Sequence, residues 1–456
     1  MTLLSWVQPA DLLAHELAAS SADGKDLEDI TRRWSAAGGS TMAPVSGATV
    51  PPAATELQEL ARDLLAELDG RPADPDIEAA VPTDLAAIED LAGASWPKPE
   101  PWRTPDSADL LDRTHGAWLG RAVGCLLGKP VEKIPRHGIR AILTAQGRWP
   151  LHDYFTAADL PADVAAEFPW NRRSAATSLL ENIDGMPEDD DLNFPLIAVR
   201  LLERCGAGFT TDDVADAWLA ELPGGRVFTA ERVAYRNLLL GLTPPRTATF
   251  ENPFREWIGA QIRADVYGWT NPGDPATAAR QAWRDARLSH VRAGVHGAMF
   301  VAAACAAVVD GGGLEDALNA GTSVVPPESP HAQAIHRGRK LAESGVDDEA
   351  GIDAIYKSYG GLHWVHVLNN SALVAFALAR SGGEFDRAIC LAVSGGWDTD
   401  SNGATVGSIC GALAGASRLP SRWTDPLRNR LSTSLPGWHD VGFDELARRT
   451  VALARR

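Results

Sequence analysis

Basic residues are scarce in this 456-residue chain: 42 Lys and Arg stand against 60 Asp and Glu, a formal net charge of −18. A surface of that sign repels phosphate backbones and anionic bilayers, so neither nucleic acid nor a membrane is an expected partner. A nucleotide-like ligand stays compatible, because a bound divalent cation reverses the local field. Cysteine is scarce too. The five, Cys125, Cys205, Cys305, Cys390 and Cys410, form no CxxC pair, which argues against a structural zinc site. Their scatter through apolar stretches fits free thiols in a reducing cytoplasm, the expected location. Long apolar runs are missing: the most apolar stretch, 300–309, falls short of the ~18 residues a membrane helix needs. The first twenty residues carry Asp11, His15 and Glu16 in place of the basic start of a secretory signal. Alternating Val, Ile, Thr and Tyr runs, the mark of strands, are nearly absent. No GxSxG, GxGxxG or phosphate-loop pattern is present.

What is present is helix after helix, and the expected fold class is all-α. Residues 1–100 stand apart: they hold 18 Asp and Glu and 6 Lys and Arg, so −12 of the −18 resides there. Helical periodicity marks 10–20 and 54–68, the latter with Leu57, Leu60, Leu64, Leu65 and Leu68 on one side. Between them, GGSTMAPVSGATVPPAA reads as a linker. A proline-rich break at 96–107 divides this acidic helical extension (1–100) from a main all-α domain (107–456). In that domain two helices repeat glycine every four residues: Gly116, Gly120, Gly124, Gly128, and Gly403, Gly407, Gly411, Gly415. Each interior glycine costs about 1 kcal/mol relative to alanine. Such a stripe therefore predicts two helices whose backbones approach closely. Arg113, Arg121 and Lys129 rule out the membrane version of that motif.

Two acidic segments carry the chemistry. Ser394-Gly395-Gly396-Trp397-Asp398-Thr399-Asp400-Ser401-Asn402 sets two acids and hydroxyls at a glycine turn entering a helix. An N-cap accounts for one acid, not for two. Met186-Pro187-Glu188-Asp189-Asp190-Asp191 places four acids in a row before an apolar helix, more than the helix dipole calls for. Carboxylates and hydroxyls are ligands for a hard cation, and one cation bridging both segments would offset their repulsion. A third segment, Thr210-Thr211-Asp212-Asp213, has the pattern of a capping box and is read as structural. Trp397 beside the acids is a candidate to stack on a base or sugar. Gly294 and His296, at the start of an apolar helix, are candidates for contact with ribose or phosphate. Gly396 and Asn402 flank the acid pair.

In this order and at these separations, GAWLGRAVGCLLGKPVE, PEDDDLNFPLIAVRLLE and SGGWDTDSNGATVGSICGALAGA resemble the ADP-ribosylglycohydrolase family, over roughly 109–450. The resemblance implies a multi-helix fold around two Mg²⁺ ions and an enzyme that cleaves the N-glycosidic bond of an ADP-ribosyl or related ribosyl substrate. Carried over by motif, the metal ligands fall on Glu188, Asp189, Asp190, Asp398, Asp400 and Ser401. The acid that ends the first motif falls on Glu132, and Asp189 or Glu132 is the expected water-orienting base. Three departures are visible. Cys125 stands where the first motif has Asp, Glu188 and Asp191 stand where the second has Thr, and Trp397 follows the glycine pair. With the added extension, they favour a small ribosyl compound over an ADP-ribosylated protein. A non-catalytic relative that keeps the fold and binds metal or ADP-ribose is the alternative, and loss of the metal acids would be its mark.

Overall fold

A computed structural model describes residues 4–98 and 107–454. Most of the expected break at 96–107 lies outside the described residues. Among the described residues the chain forms twenty-four α-helices and six short 3-10 turns, with three isolated β-bridges and no longer strand. The helices named below are α1 (Pro9–Ala22), α2 (Thr55–Asp69), α3 (Ser107–Gly128), α4 (Asp190–Cys205), α5 (Arg292–Val309) and α6 (Thr399–Ala414). The two periodic segments at the N-terminus are thus helical within a few residues of the expected bounds.

The glycine stripes meet face to face. A Cβ on Gly116 would lie 2.2 Å from the Gly411 oxygen, on Gly120 2.1 Å from that of Gly407, and on Gly124 1.8 Å from that of Gly403. Only hydrogen fits at such separations, so the backbones of α3 and α6 touch along an antiparallel seam. Close packing at crystal-like density offsets the helix-propensity cost of the glycines. At the end of the seam Gly128 abuts Thr399. That contact places the C-terminus of α3, with Lys129 and Glu132 just beyond it, against the N-terminus of α6, where Asp398 and Asp400 sit.

Helix α5 runs through the core. It is longer than the apolar stretch at 300–309, because Arg292 to Met299 continue it toward the N-terminus. By length and composition its 18 residues could cross a bilayer, but 94% of the helix is buried inside the protein.

Residues 4–98 pack onto the rest of the chain through groups the composition did not foretell. From α1, Glu16 pairs with Arg255 at 3.0 Å, and Asp23 pairs with Arg255 at 2.6 Å and with Arg292. All four side chains are buried. His15 sits among the rings of Trp6, Phe254, Trp257 and His363. Burial drives His15 down to about 3 and His363 down to about 4, so both are neutral. The expected linker corrects in one respect. Its backbone is irregular, as glycine and proline require, but it is tied down. Thr49 donates from its backbone N and its Oγ1 to Asp11 at 3.0 and 2.6 Å, and Trp364 Nε1 donates to the Val45 carbonyl at 2.9 Å.

Candidate metal centre

The acids from the two segments and from the end of α3 line one cleft of about 850 Å³. Glu132, Glu188, Asp189, Asp190, Asp191, Asp398, Asp400 and Ser401 all contribute to its wall. The local folding explains their convergence. Asp189 is the N-cap of α4, its Oδ1 accepting from the Asp191 backbone N at 2.8 Å, which turns the following acids into the first helical turn. Asp398 precedes α6, and its backbone N donates to Asn370 Oδ1 at 3.3 Å. The turn before it depends on left-handed backbone at Gly396 and at Trp397 (φ 81 and 59). Glycine adopts that conformation freely, whereas tryptophan is strained there. Trp397 stacks on Tyr356, ring centroids 4.0 Å apart, which holds it in place. The two segments are joined directly: Ser401 Oγ donates to Asp191 Oδ2 at 3.2 Å.

The electrostatics are those of crowded, dehydrated carboxylates. Burial, then the neighbouring Asp400, pushes Asp398 well above the usual carboxylate range. Burial and adjacent aspartates do the same to Asp190 and Asp191. Asp400 is pushed up to about 7 by burial, with Glu132 and Asp189 adding to it. Built-in cations answer only part of this. Lys129 pairs with Asp189, and Arg121, fully buried, pairs with Asp191 at 3.1 Å and with Asp265 at 3.0 Å. Arg226 takes Glu188 at 3.2 Å, and Lys133 takes Glu132 at 3.2 Å. Among the described residues no basic side chain pairs with Asp190, Asp398 or Asp400. A buried carboxylate without a partner is expensive; Asp398 and Asp400 are buried, Asp190 is half-buried, and all three line the same cleft as Ser401. Cys125 lies beside Asp189 and Asp191, all within 4.8 Å by their ligand atoms. Burial keeps its thiol protonated, so it is a poor ligand for a hard divalent cation.

A sequence model of the ADP-ribosylglycohydrolase family matches residues 106–456. The chain belongs to the ADP-ribosylglycohydrolase family. Membership supports glycoside hydrolysis as the general activity and fits the all-α architecture. An uncharacterized protein of Archaeoglobus fulgidus is 27% identical over 330 residues, covering 70% of this chain and 93% of that protein. Among solved structures, an ADP-ribosylglycohydrolase-related protein complex is similar at 22% identity, covering 76% of this chain and 99% of the other, with a TM-score of 0.47. The family match begins at 106, so residues 4–98 lie outside it.

The remaining candidates are distributed differently. Trp397 faces an adjoining cavity of about 590 Å³, which shares Lys133 and Trp364 with the main cleft. Asn402 lies behind the acids, its Nδ2 donating to Asn370 Oδ1 at 2.7 Å, where it holds the turn rather than lining the cleft. Gly396 likewise shapes the turn. The structure does not bring His296 or Gly294 to the cleft. His296 is fully buried, its Nε2 bonded to the Pro82 carbonyl at 2.9 Å, and a Cβ on Gly294 would lie 2.8 Å from the Arg255 carbonyl. Both serve packing between α5 and its neighbours. At Thr210 the capping box forms as its pattern predicts, with Asp213 half-buried. Sequence reasoning missed Arg121, Lys129 and Asn171 as members of the site. Arg121 and Lys129 were visible as charges within and just after the glycine helix, where an exposed position would have been odd. Asn171, whose Nδ2 donates to Glu132 Oε2 at 2.6 Å, left no signal.

Proposed function

We propose that this chain is a Mg²⁺-dependent N-glycosyl hydrolase acting on a small ribosyl or ADP-ribosyl compound. The observation that supports this best is the convergence of Asp190, Asp398 and Asp400 in one cleft without basic partners. These residues and Ser401 would hold the cation. When bound, Mg²⁺ would position ribose hydroxyls and acidify water.

The protein's own groups would do the rest. N-glycosidic cleavage passes through an oxocarbenium-like state, and the carboxylates lining the cleft stabilise its positive charge. A base must orient the attacking water. Of the two candidates, Asp189 has one oxygen capping α4 and the other paired with Lys129. Glu132 is less buried; Lys133 pairs with its Oε1 at 3.2 Å, but its Oε2 accepts from the neutral amide of Asn171 and has no charged partner, which leaves it the better placed. Trp397, Tyr356 and Trp364 offer flat faces in the adjoining cavity for a base or leaving group.

The size preference rests on the extension. Ser5, Trp6, Ser46, Gly47 and Ala48 form part of the cleft wall, and Val45 lines the adjoining cavity. A cavity of this volume suits a small molecule, and this wall narrows the approach for a folded protein. The unpaired cysteines suit a cytoplasmic enzyme. The test is a substrate panel read by mass spectrometry with Mg²⁺, spanning ADP-ribosyl-arginine, ADP-ribosyl-serine peptides, NAD, nicotinamide riboside and simple nucleosides. Metal-dependent release of ribose or ADP-ribose from a small compound, absent in Asp398→Asn, is expected. Release only from the modified peptides would overturn the size preference, and release unaffected by Asp398→Asn would overturn the site.

A further inference from the structure

The cavity beside the acidic cleft has aromatic and cationic walls. Trp364 and Lys133 border both spaces, so the two meet there. Trp397 lines the cavity one residue before Asp398, and Lys133 lines it one residue after Glu132. The rings are held in place. Trp397 keeps its left-handed backbone (φ 59) and stacks on Tyr356 with 12° between the planes. The Tyr356 hydroxyl donates to the Gly395 carbonyl at 2.9 Å, and Trp364 is tied to the extension at Val45. Packing alone needs no strained tryptophan at a cavity wall, whereas a ligand that stacks on rings would explain one.

The charges narrow which ligand fits. Both acids of this wall are already paired: Glu349 with Arg136 and Arg140 at 2.7 and 2.8 Å, and Asp353 with Arg136. Lys133 adds a third cation, and its partner Glu132 lies on the cleft side. Among the described residues lining the cavity, no acid is left for a guanidinium, which binds best to a carboxylate of its own. An uncharged heterocycle with carbonyl oxygens would gain stacking from the rings and hydrogen bonds from Lys133 and Arg136.

We infer that this cavity holds the leaving group, and that the leaving group is an uncharged, carbonyl-bearing heteroaromatic base rather than a guanidinium. The inference rests on the N-glycosyl hydrolase reading. The water oxygen bonds to C1 of the ribose, and the C1–N bond breaks with its electron pair going to the ring nitrogen. One water proton passes to Glu132 and the other stays on the new sugar hydroxyl. The base departs as an anion stabilised by the neighbouring cations, and takes up a proton from solvent as Glu132 releases its own. The distal base of an ADP-ribosyl group lies a diphosphate and a second ribose away from C1, whereas this wall begins one residue from Asp398.

Hypoxanthine and agmatine are the probes, titrated into the full-length protein with Mg²⁺ and read by ligand-observed NMR. Hypoxanthine is expected to bind and agmatine is not. Trp364→Leu is expected to weaken hypoxanthine about tenfold, the scale of one lost base–aromatic stack, and Trp364→Phe, which keeps a ring, to retain it. No hypoxanthine binding, agmatine binding at least as tight, or hypoxanthine binding unmoved in a folded Trp364→Leu would overturn the inference. Should Trp364→Leu fail to fold by circular dichroism, the wild-type contrast between the two probes decides alone. The kinetic arm sets inosine against ADP-ribosyl-arginine. Inosine is expected to be hydrolysed, with kcat/KM about tenfold lower in Trp364→Leu. Faster hydrolysis of ADP-ribosyl-arginine, slowed as much by Trp364→Leu, would put the distal adenine against the rings and overturn the inference. Hydrolysis of neither, with hypoxanthine bound, would overturn the hydrolase reading and leave the preference of the cavity for the ring standing.

Discussion

Glu188–Asp191 and Thr210–Asp213 look alike in the sequence: short acidic runs, each opening a helix. In the structure they have opposite lives. At Thr210 Asp212 is exposed and Asp213 turns back onto the helix start, held below its usual range by hydrogen bonds from the Thr210 backbone and side chain. At Asp189 the same helix-start geometry turns the acids inward, where burial and mutual repulsion push Asp190 and Asp191 the other way. One run stabilises its helix. The other is tolerated at a cost in stability, which a site built for a ligand would explain. What separates them is not composition but the seam of α3 and α6, which closes one cluster inside the protein.

The comparison breaks most visibly at the inward cluster. Asp398→Asn or Asp400→Asn is expected to lower hydrolysis by about 100-fold or more, the scale of loss when metal coordination is disturbed. The same change should raise the melting temperature of the metal-free protein. The folded pKa of each acid is raised, so its ionised form opposes folding at neutral pH, and the amide removes that cost. A variant that lost activity and also melted lower without metal would argue that these acids are structural.

Next in size is the seam. Gly124→Leu must find room where a Cβ alone lies 1.8 Å from the Gly403 oxygen. Overpacking against backbone is expected to cost more than about 3 kcal/mol, read by urea unfolding, and metal binding should fall with it. A stable, metal-binding Gly124→Leu would mean the seam does not close the cluster.

A smaller effect concerns the extension. His15 and His363 are held neutral by burial, their pKa values lowered from 6.5 to about 3 and about 4. A lowered histidine contributes stability that is complete above 6.5 and is lost as the pH falls toward 4. Protection of α1 against hydrogen exchange should therefore fall between pH 6.5 and 4 ahead of that of α6, which carries no histidine. Equal protection in both helices across that window would show that the extension does not part first.

The smallest change is expected at the outward cluster. Thr210→Ala removes a cap worth about 1 kcal/mol and should leave divalent-cation affinity unchanged by calorimetry. A shift in that affinity would contradict the separation of the two runs.

The sequence made the core of this picture readable because its strongest signals are costly ones. Glycine every fourth residue in a helix, and acids in pairs or fours at a helix entry, are expensive unless something specific compensates, so they announce close approach and a shared acidic cleft. The linker at 38–54 and the pair Gly294 and His296 were misleading for a common reason. Their composition is compatible with both loose and packed states, and only tertiary contacts with Asp11, Trp364 and Pro82 decide. The pairing of Glu16 and Asp23 with Arg255 and Arg292, more than 200 positions apart, is likewise invisible to local pattern.

The central claim is that hydrolysis depends on a divalent cation held by the inward acids. The most direct measurement is ribose or ADP-ribose release from the best small substrate after EDTA treatment and then after Mg²⁺ is returned. The account predicts loss of turnover in EDTA and recovery with Mg²⁺ in the wild type, with no recovery in Asp398→Asn. Full turnover in excess EDTA, or recovery in Asp398→Asn equal to that of the wild type, would contradict it.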